Sequence, residues 1–216
     1  MCLLSSTLDR LMTDAGTELR TERPSPRIVL ASRSPRRRSL LLEAGIQHRA
    51  EHPGFDDGGL KPGQVSPEQW VASLAYLKAW AKVRETDADL IIGADTACVL
   101  DDRLIGTPNT AEEAGGMIRS FLNREHHVVT GVALIDLRSG RPERVLFSER
   151  AAVRFGGLSE QQIAMYISTD EWQGKAGAYN LRERLDAGWP ITYDGDPTTI
   201  MGLPMKALLR RLRTLV

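Results

Sequence analysis

The residues best suited to chemistry lie where an apolar run gives way to a helix start, in Ala31-Ser32-Arg33-Ser34-Pro35-Arg36-Arg37-Arg38. Free backbone N–H groups at a helix start favour anions, and the helix dipole adds to this. Ser32 and Ser34 contribute hydroxyl groups. Arg36 and Arg37 contribute forked donors that match phosphate oxygens. Basic residues at this end oppose the dipole, so local stability alone would not select them. A bound polyanion would resolve the conflict, and a solvated basic turn is the alternative.

A second segment, Leu90-Ile91-Ile92-Gly93-Ala94-Asp95-Thr96, reads as an apolar strand delivering a carboxylate at its carboxyl end. Ligands of α/β proteins gather outside such ends. Asp95 there can bind a divalent metal or activate water, or it can satisfy backbone donors in a turn. Asp56 and Asp57 in Phe55-Asp56-Asp57-Gly58-Gly59 can share a metal with it, or form a solvated turn. Lys78 lies beside the apolar stripe of a helix and can reach a phosphate or stay at the surface. Gly174-Lys175-Ala176-Gly177-Ala178-Tyr179 can fold over a ligand or serve as a connector. His126 and His127 are adjacent on a strand and point to opposite faces, which disfavours one shared metal.

The elements positioning these residues follow from pattern and punctuation. Residues 28–31 read as a buried strand. Ser34 and Pro35 cap a helix whose apolar face is Leu40 to Leu42 and which Gly45 ends. Capping boxes at Ser66, Thr110 and Ser159 open three further helices. The first of these carries Trp70, Leu74, Leu77 and Ala81 on one face. A strand at 89–94 is followed by a hairpin from Cys98 to Ile105 turning at Asp101-Asp102. Residues 127–136 and 143–155 read as two long antiparallel strands. Residues 174–200 read as loop-rich, with a strand near 191–193. Pro204 opens a terminal helix with Leu208, Leu209, Leu212 and Leu215 on one side. The expected class is therefore α/β, a mixed sheet with helices around it.

Within the 216 residues, 1–26 read as a disordered extension and 27–216 as a single domain. Lys plus Arg equals Asp plus Glu at 28 each, which argues against a general nucleic-acid binder. Cys2 and Cys98 are too few for a disulfide scaffold or a thiolate zinc site, and they fit a reducing cytoplasm. No stretch reads as a signal peptide or a membrane span.

Taken in order, I-V-L-A-S-R-S-P-R-R-R-S-L-L, L-A-Y-L-K-A, I-I-G-A-D-T, E-E-A-G-G-M-I, H-V-V-T-G-V, K-A-G-A-Y and M-G-L-P resemble the Maf family of nucleoside triphosphate pyrophosphatases. The resemblance spans about residues 28–206. It implies an elongated mixed sheet with flanking helices and a central cleft, the Maf/inosine-triphosphatase-like fold, and a homodimer. It implies cleavage of a nucleoside triphosphate to a monophosphate and pyrophosphate, with a divalent cation, Mg²⁺ or Mn²⁺. Asp95 matches the family's essential aspartate, a general base or metal ligand, and Asp57 would be its metal-binding partner. Arg36 and Thr96 match substrate-recognition positions. Ser32, Ser34, Arg37, Lys78 and Lys175 fall at polar positions expected around the phosphates. Three departures stand out. Gly106-Thr107-Pro108 replaces a common Gly-Lys-Pro, and Asp56-Asp57 replaces Asp-Glu. Asn180-Leu181-Arg182-Glu183-Arg184 replaces Gly-Ile-Gln-Gly, so a base-recognition glutamine falls at Arg182 or Glu183.

Overall fold

The structure is a computed structural model that describes residues 25–56 and 59–215. Most of the expected 1–26 extension, with Cys2, lies outside the described residues, and so does Asp57. Strand β1 (Ile28–Ala31) leads into helix α1 (Pro35–Glu43). Ser34 is the N-cap, and its hydroxyl accepts the Arg37 N–H. Leu40 and Leu41 are buried, but Leu42 points to solvent, so the apolar face is narrower than expected. Strand β2 (Arg49–Glu51) follows, then helix α2 (Pro67–Trp80) behind a complete Ser66–Gln69 capping box. The buried face of α2 is Val71, Leu74, Ala75 and Ala79. Trp70, Leu77 and Ala81 are only half-buried, because the helix meets the sheet along its small residues.

The expected strand at 89–94 does not stop there. It continues as β3 (Leu90–Leu100), turns at Asp101-Asp102 with φ of 49° and 59°, and returns as β4 (Arg103–Ile105). Two left-handed residues are what a tight two-residue hairpin requires. Helix α3 (Ala111–Phe121) is capped by Thr110. Its expected capping box is only half formed, because the Glu113 carboxylate accepts the Asn109 N–H at 2.7 Å. The long strands β5 (Glu125–Asp136) and β6 (Glu143–Phe155) pair antiparallel, as expected. Helix α4 (Glu160–Ile167) has its full Ser159–Gln162 box. The stretch expected to be loop-rich holds a short 3-10 turn (Ala176–Ala178) and helices α5 (Leu181–Asp186) and α6 (Pro197–Ile200), besides the expected strand β7 (Ile191–Asp194). Helix α7 (Met205–Leu215) buries Leu208 and Leu212.

The strands form one mixed sheet in the order β2-β1-β3-β5-β6-β7, with β4 also on β3. β1 runs parallel to β2 and β3, and the other pairs are antiparallel. This bears out the mixed α/β expectation. Helix α2 covers one face, and α1 and α7 cover the other beside β1 and β3. Beyond them, α3, α4 and the aromatic residues around Phe121 and Phe155 close a further core. Helix α2 lies very close to the sheet. A Cβ on Gly93 would come 2.2 Å from the Ala75 carbonyl oxygen, and one on Gly131 2.3 Å from the Val71 carbonyl carbon. Among the described residues no helix is long and apolar enough to cross a membrane.

His126 is fully buried in the aromatic core, stacked on Phe121, with Nε2 2.8 Å from the Tyr179 hydroxyl. His127 points the other way and is partly exposed. Burial, with a smaller contribution from His127, pushes the His126 pKa down from 6.5 to about 3. In the unfolded chain this ring takes up a proton below its ordinary value, whereas the folded ring stays neutral. Stability is therefore complete above pH 6.5 and is lost as pH falls toward about 3. The expected result is a thermal midpoint that declines through this window. His126→Gln should flatten the decline, and an unchanged pH slope would refute the assignment.

Candidate active site

The site forms at a break in the edge of β3. β1 pairs with β3 only as far as Ala31 opposite Gly93, and β4 takes up the same edge only from Cys98. Asp95 and Thr96 fall in the gap between them. Asp95 thus sits in mid-strand, opposite Gly131 of β5, and not at a strand end as expected. The strand end that matters belongs to β1, whose chain turns away at Ser32 into α1. Asp95 and Thr96 are neighbours and point to opposite faces. Both nevertheless line one cavity of about 760 Å³, because the cavity wraps around the open edge.

On one face stands α2. Its close approach at Gly93 and Gly131 brings Lys78 to Asp95, with Nζ 2.5 Å from Oδ1. Both side chains are largely buried. On the other face Thr96 Oγ1 lies 2.9 Å from Thr130 Oγ1, and Thr130 donates to the Thr199 carbonyl at 2.8 Å.

Arg37 ties this face to the helix start. Its Nε donates to the Gly202 carbonyl at 2.7 Å, Nη1 to Ser32 Oγ at 3.2 Å and Nη2 to Thr96 Oγ1 at 3.1 Å. Burial lowers its pKa to about 10, opposed by the attraction of Asp95, so it remains a cation at neutral pH. Ser32 is buried, and its hydroxyl also accepts the Ser34 N–H at 3.2 Å. The two serine hydroxyls thus shape the turn at the helix start. Arg36 lines the cavity and reaches the Gly174 carbonyl at 3.5 Å, and burial lowers its pKa as well.

A further wall is formed by Gly174 to Ala176, with Tyr179, Asn180 and Glu183. Lys175 is buried and ion-paired to Glu183, and both line the cavity. Arg182 does not line it, but turns outward to Glu43 at 3.1 Å. The rotation of α5 decides this. Leu181 and Arg184 take its buried side, and Arg184 lies over the Tyr166 ring at 4.3 Å.

Apart from Asp56 and Arg182, and Asp57 outside the described residues, each candidate site residue lines the cavity. Sequence reasoning missed Thr130, Thr199 and the Gly202 carbonyl, which hold Thr96 and Arg37 from across the chain. It also missed Asn180, a buried N-cap whose side chain accepts the Glu183 N–H. The Asn-x-x-Glu spacing was the available signal for that cap. Thr107 lies in the wall at the position where a lysine was expected.

Among the described residues no cluster of three His, Cys, Asp or Glu side chains could hold a metal by itself. A Mg²⁺ that keeps waters and shares phosphate oxygens needs only one or two protein carboxylates. Asp95, in a cavity that Arg36, Arg37, Lys78 and Lys175 also line, fits that requirement.

Comparison with known proteins gives the chain a family and relatives. The model of the Maf-like protein family matches residues 27–215. A dTTP/UTP pyrophosphatase of Pelotomaculum thermopropionicum is 40% identical over 186 residues, covering 86% of this chain and 95% of the relative. A dTTP/UTP pyrophosphatase of a Geobacillus species is 38% identical over 192 residues, covering 87% and 97%. One from Thermotoga maritima is 38% identical over 181 residues, covering 83% and 84%.

Proposed function

The chain belongs to the Maf-like protein family, and from that premise we propose that it is a nucleoside triphosphate pyrophosphatase acting on dTTP and UTP, as its relatives are named. The observation that carries the reading is one cavity with Arg36 and Arg37 at a helix start and the Lys78–Asp95 pair beside them. A triphosphate carries several negative charges, and these cations offset them. The α1 start and Arg36 hold the phosphate chain, while Arg37 braces Ser32 and Thr96 beneath it.

Asp95 orients a water toward the α-phosphorus and takes its proton as the water oxygen bonds to phosphorus. The bond from the α-phosphorus to the α–β bridging oxygen breaks. Pyrophosphate leaves with its charge met by Lys175. Lys78 fixes the orientation of the Asp95 carboxylate. A divalent cation, Mg²⁺ or Mn²⁺, bound with the substrate would polarise the phosphoryl oxygens, and Asp95 is the described residue that would hold it. Asp57 is the second expected ligand. Homodimeric assembly, which rests on the resemblance, and a cytoplasmic location, which rests on the sparse cysteines, belong to the same reading.

The test is a panel of ribo- and deoxyribonucleoside triphosphates with Mg²⁺ or Mn²⁺, monitored for pyrophosphate and monophosphate together. The expected result is equal amounts of the two products, with dTTP and UTP turned over fastest. Release of inorganic phosphate, or no turnover of any nucleotide, would sink the proposal. Saturable nucleotide binding without turnover would instead indicate a sensor.

A further inference from the structure

The cavity holds a second cation–carboxylate pair, of which the hydrolytic step uses only the cation. Lys175 and Glu183 are ion-paired, but they are not equally accessible. The Lys175 side chain is 9% exposed and that of Glu183 is 40%. Their backbones also differ in constraint. Lys175 precedes two consecutive left-handed residues, Gly177 at φ 67° and Ala178 at φ 66°. Left-handed backbone is costly for alanine and persists only where the surroundings enforce it.

Three hydrogen bonds enforce it here. The Gly177 N–H donates to the Gly106 carbonyl at 2.9 Å, the Tyr166 hydroxyl donates to the Ala178 carbonyl at 2.7 Å, and the Tyr179 hydroxyl meets His126 Nε2 at 2.8 Å. The Lys175 backbone is itself clamped at the cavity wall, its N–H donating to the Trp172 carbonyl at 3.2 Å and its carbonyl accepting the Ala178 N–H at 3.0 Å. Glu183 hangs from the first turn of a six-residue helix and has water within reach.

We propose that Glu183 is a displaceable counter-ion, which neutralises the buried Lys175 ammonium in the substrate-free cavity and yields it to a phosphate oxygen of the incoming triphosphate. A buried ammonium stripped of its partner is strongly destabilising, so the pair holds until another anion arrives. Phosphate oxygens are such an anion and bind within the same cavity. Glu183 is the partner that moves, because it is the more exposed and Lys175 is clamped. The exchange makes every triphosphate compete with an internal carboxylate, which lowers affinity and assists release of pyrophosphate. This rests on reading the cavity as a triphosphate site.

Binding of inorganic tripolyphosphate with Mg²⁺, measured by calorimetry, tests it without requiring turnover. Glu183→Gln is expected to bind roughly five- to twentyfold more tightly than the parent, the scale of coupling between contacting charged groups. Lys175→Met is expected to bind more weakly. In the Lys175→Met background, Glu183→Gln should give no gain. A gain of equal size in both backgrounds would mean that Glu183 merely repels polyanions, and would overturn the proposal. So would unchanged or weaker binding by Glu183→Gln. Failure of the parent and of every variant to bind would instead refute the triphosphate reading, and this proposal with it. Thermal melts confirm folding. If Glu183→Gln does not fold, Glu183→Asp, with its shorter reach, should tighten binding by a smaller factor in the same sense, and unchanged or weaker binding would overturn the proposal.

Discussion

Replacing Asp95 by asparagine is expected to lower kcat for pyrophosphate release by about 10³, within the range for loss of a positioned general base. The fold should survive. The carboxamide oxygen introduced by Asp95→Asn can still accept from Lys78, which lies 2.5 Å from Asp95 Oδ1. The Arg37–Thr96–Thr130 network on the other face of the sheet is untouched. Substrate affinity should change far less than turnover, because the phosphates are held chiefly by Arg36, the α1 start and Lys175. An interaction made mainly in the transition state lowers kcat and kcat/KM together. The measurement is steady-state kinetics on dTTP and UTP, with a thermal melt of each protein. Retention of more than about a tenth of parental kcat would leave Asp95 without a role as base.

A large loss of stability is expected from Gly131→Ala. Its Cβ would lie 2.3 Å from the Val71 carbonyl carbon and 2.4 Å from the Ala72 nitrogen, both backbone atoms. Neither can rotate away, so α2 must lift from the sheet. Overpacking of a tight contact costs about 1–3 kcal/mol, and a backbone-on-backbone clash belongs at or above the upper end. At about 2–4 °C per kcal/mol, that is a fall of roughly 6–12 °C in Tm. Activity should fall too, because Lys78 rides on α2 and its distance to Asp95 depends on the close approach. Gly116 is the control. It lies exposed on α3 with nothing within 4 Å of an added Cβ. Gly116→Ala is expected to raise stability by up to about 1 kcal/mol through helix propensity alone. Equal melting behaviour of the two variants would show that α2 is not seated on Gly131.

These outcomes bear on how much of the protein is legible in its sequence. The helix starts at Ser34, Ser66 and Ser159 are readable, because a cap is a contact between residues three apart. So is the antiparallel β5–β6 pair, two long strand-forming segments joined by a short connection, the first apolar almost throughout and the second alternating apolar with charged residues. The basic helix start is readable as an anion site from residue types alone. Thr110 has the spacing of a full capping box, yet in the fold the Glu113 carboxylate goes to Asn109. Two acceptable local partners compete there, and local pattern does not choose between them.

The sequence by itself therefore determined the inventory: a mixed α/β chain, a basic helix start after the first strand, and an acidic residue in a buried apolar run. Tertiary structure decided what these become. Asp95 reached the cavity from mid-strand, because β1 leaves the edge of β3 at Gly93 and β4 joins it only at Cys98. That gap is set by where two other strands begin and end, which residues 90–100 do not encode. Glu183 faces the cavity and Arg182 does not, because Leu181 and Arg184 occupy the buried side of α5. Adjacent polar residues on a short helix are equivalent in sequence, and only packing against the rest of the chain separates them.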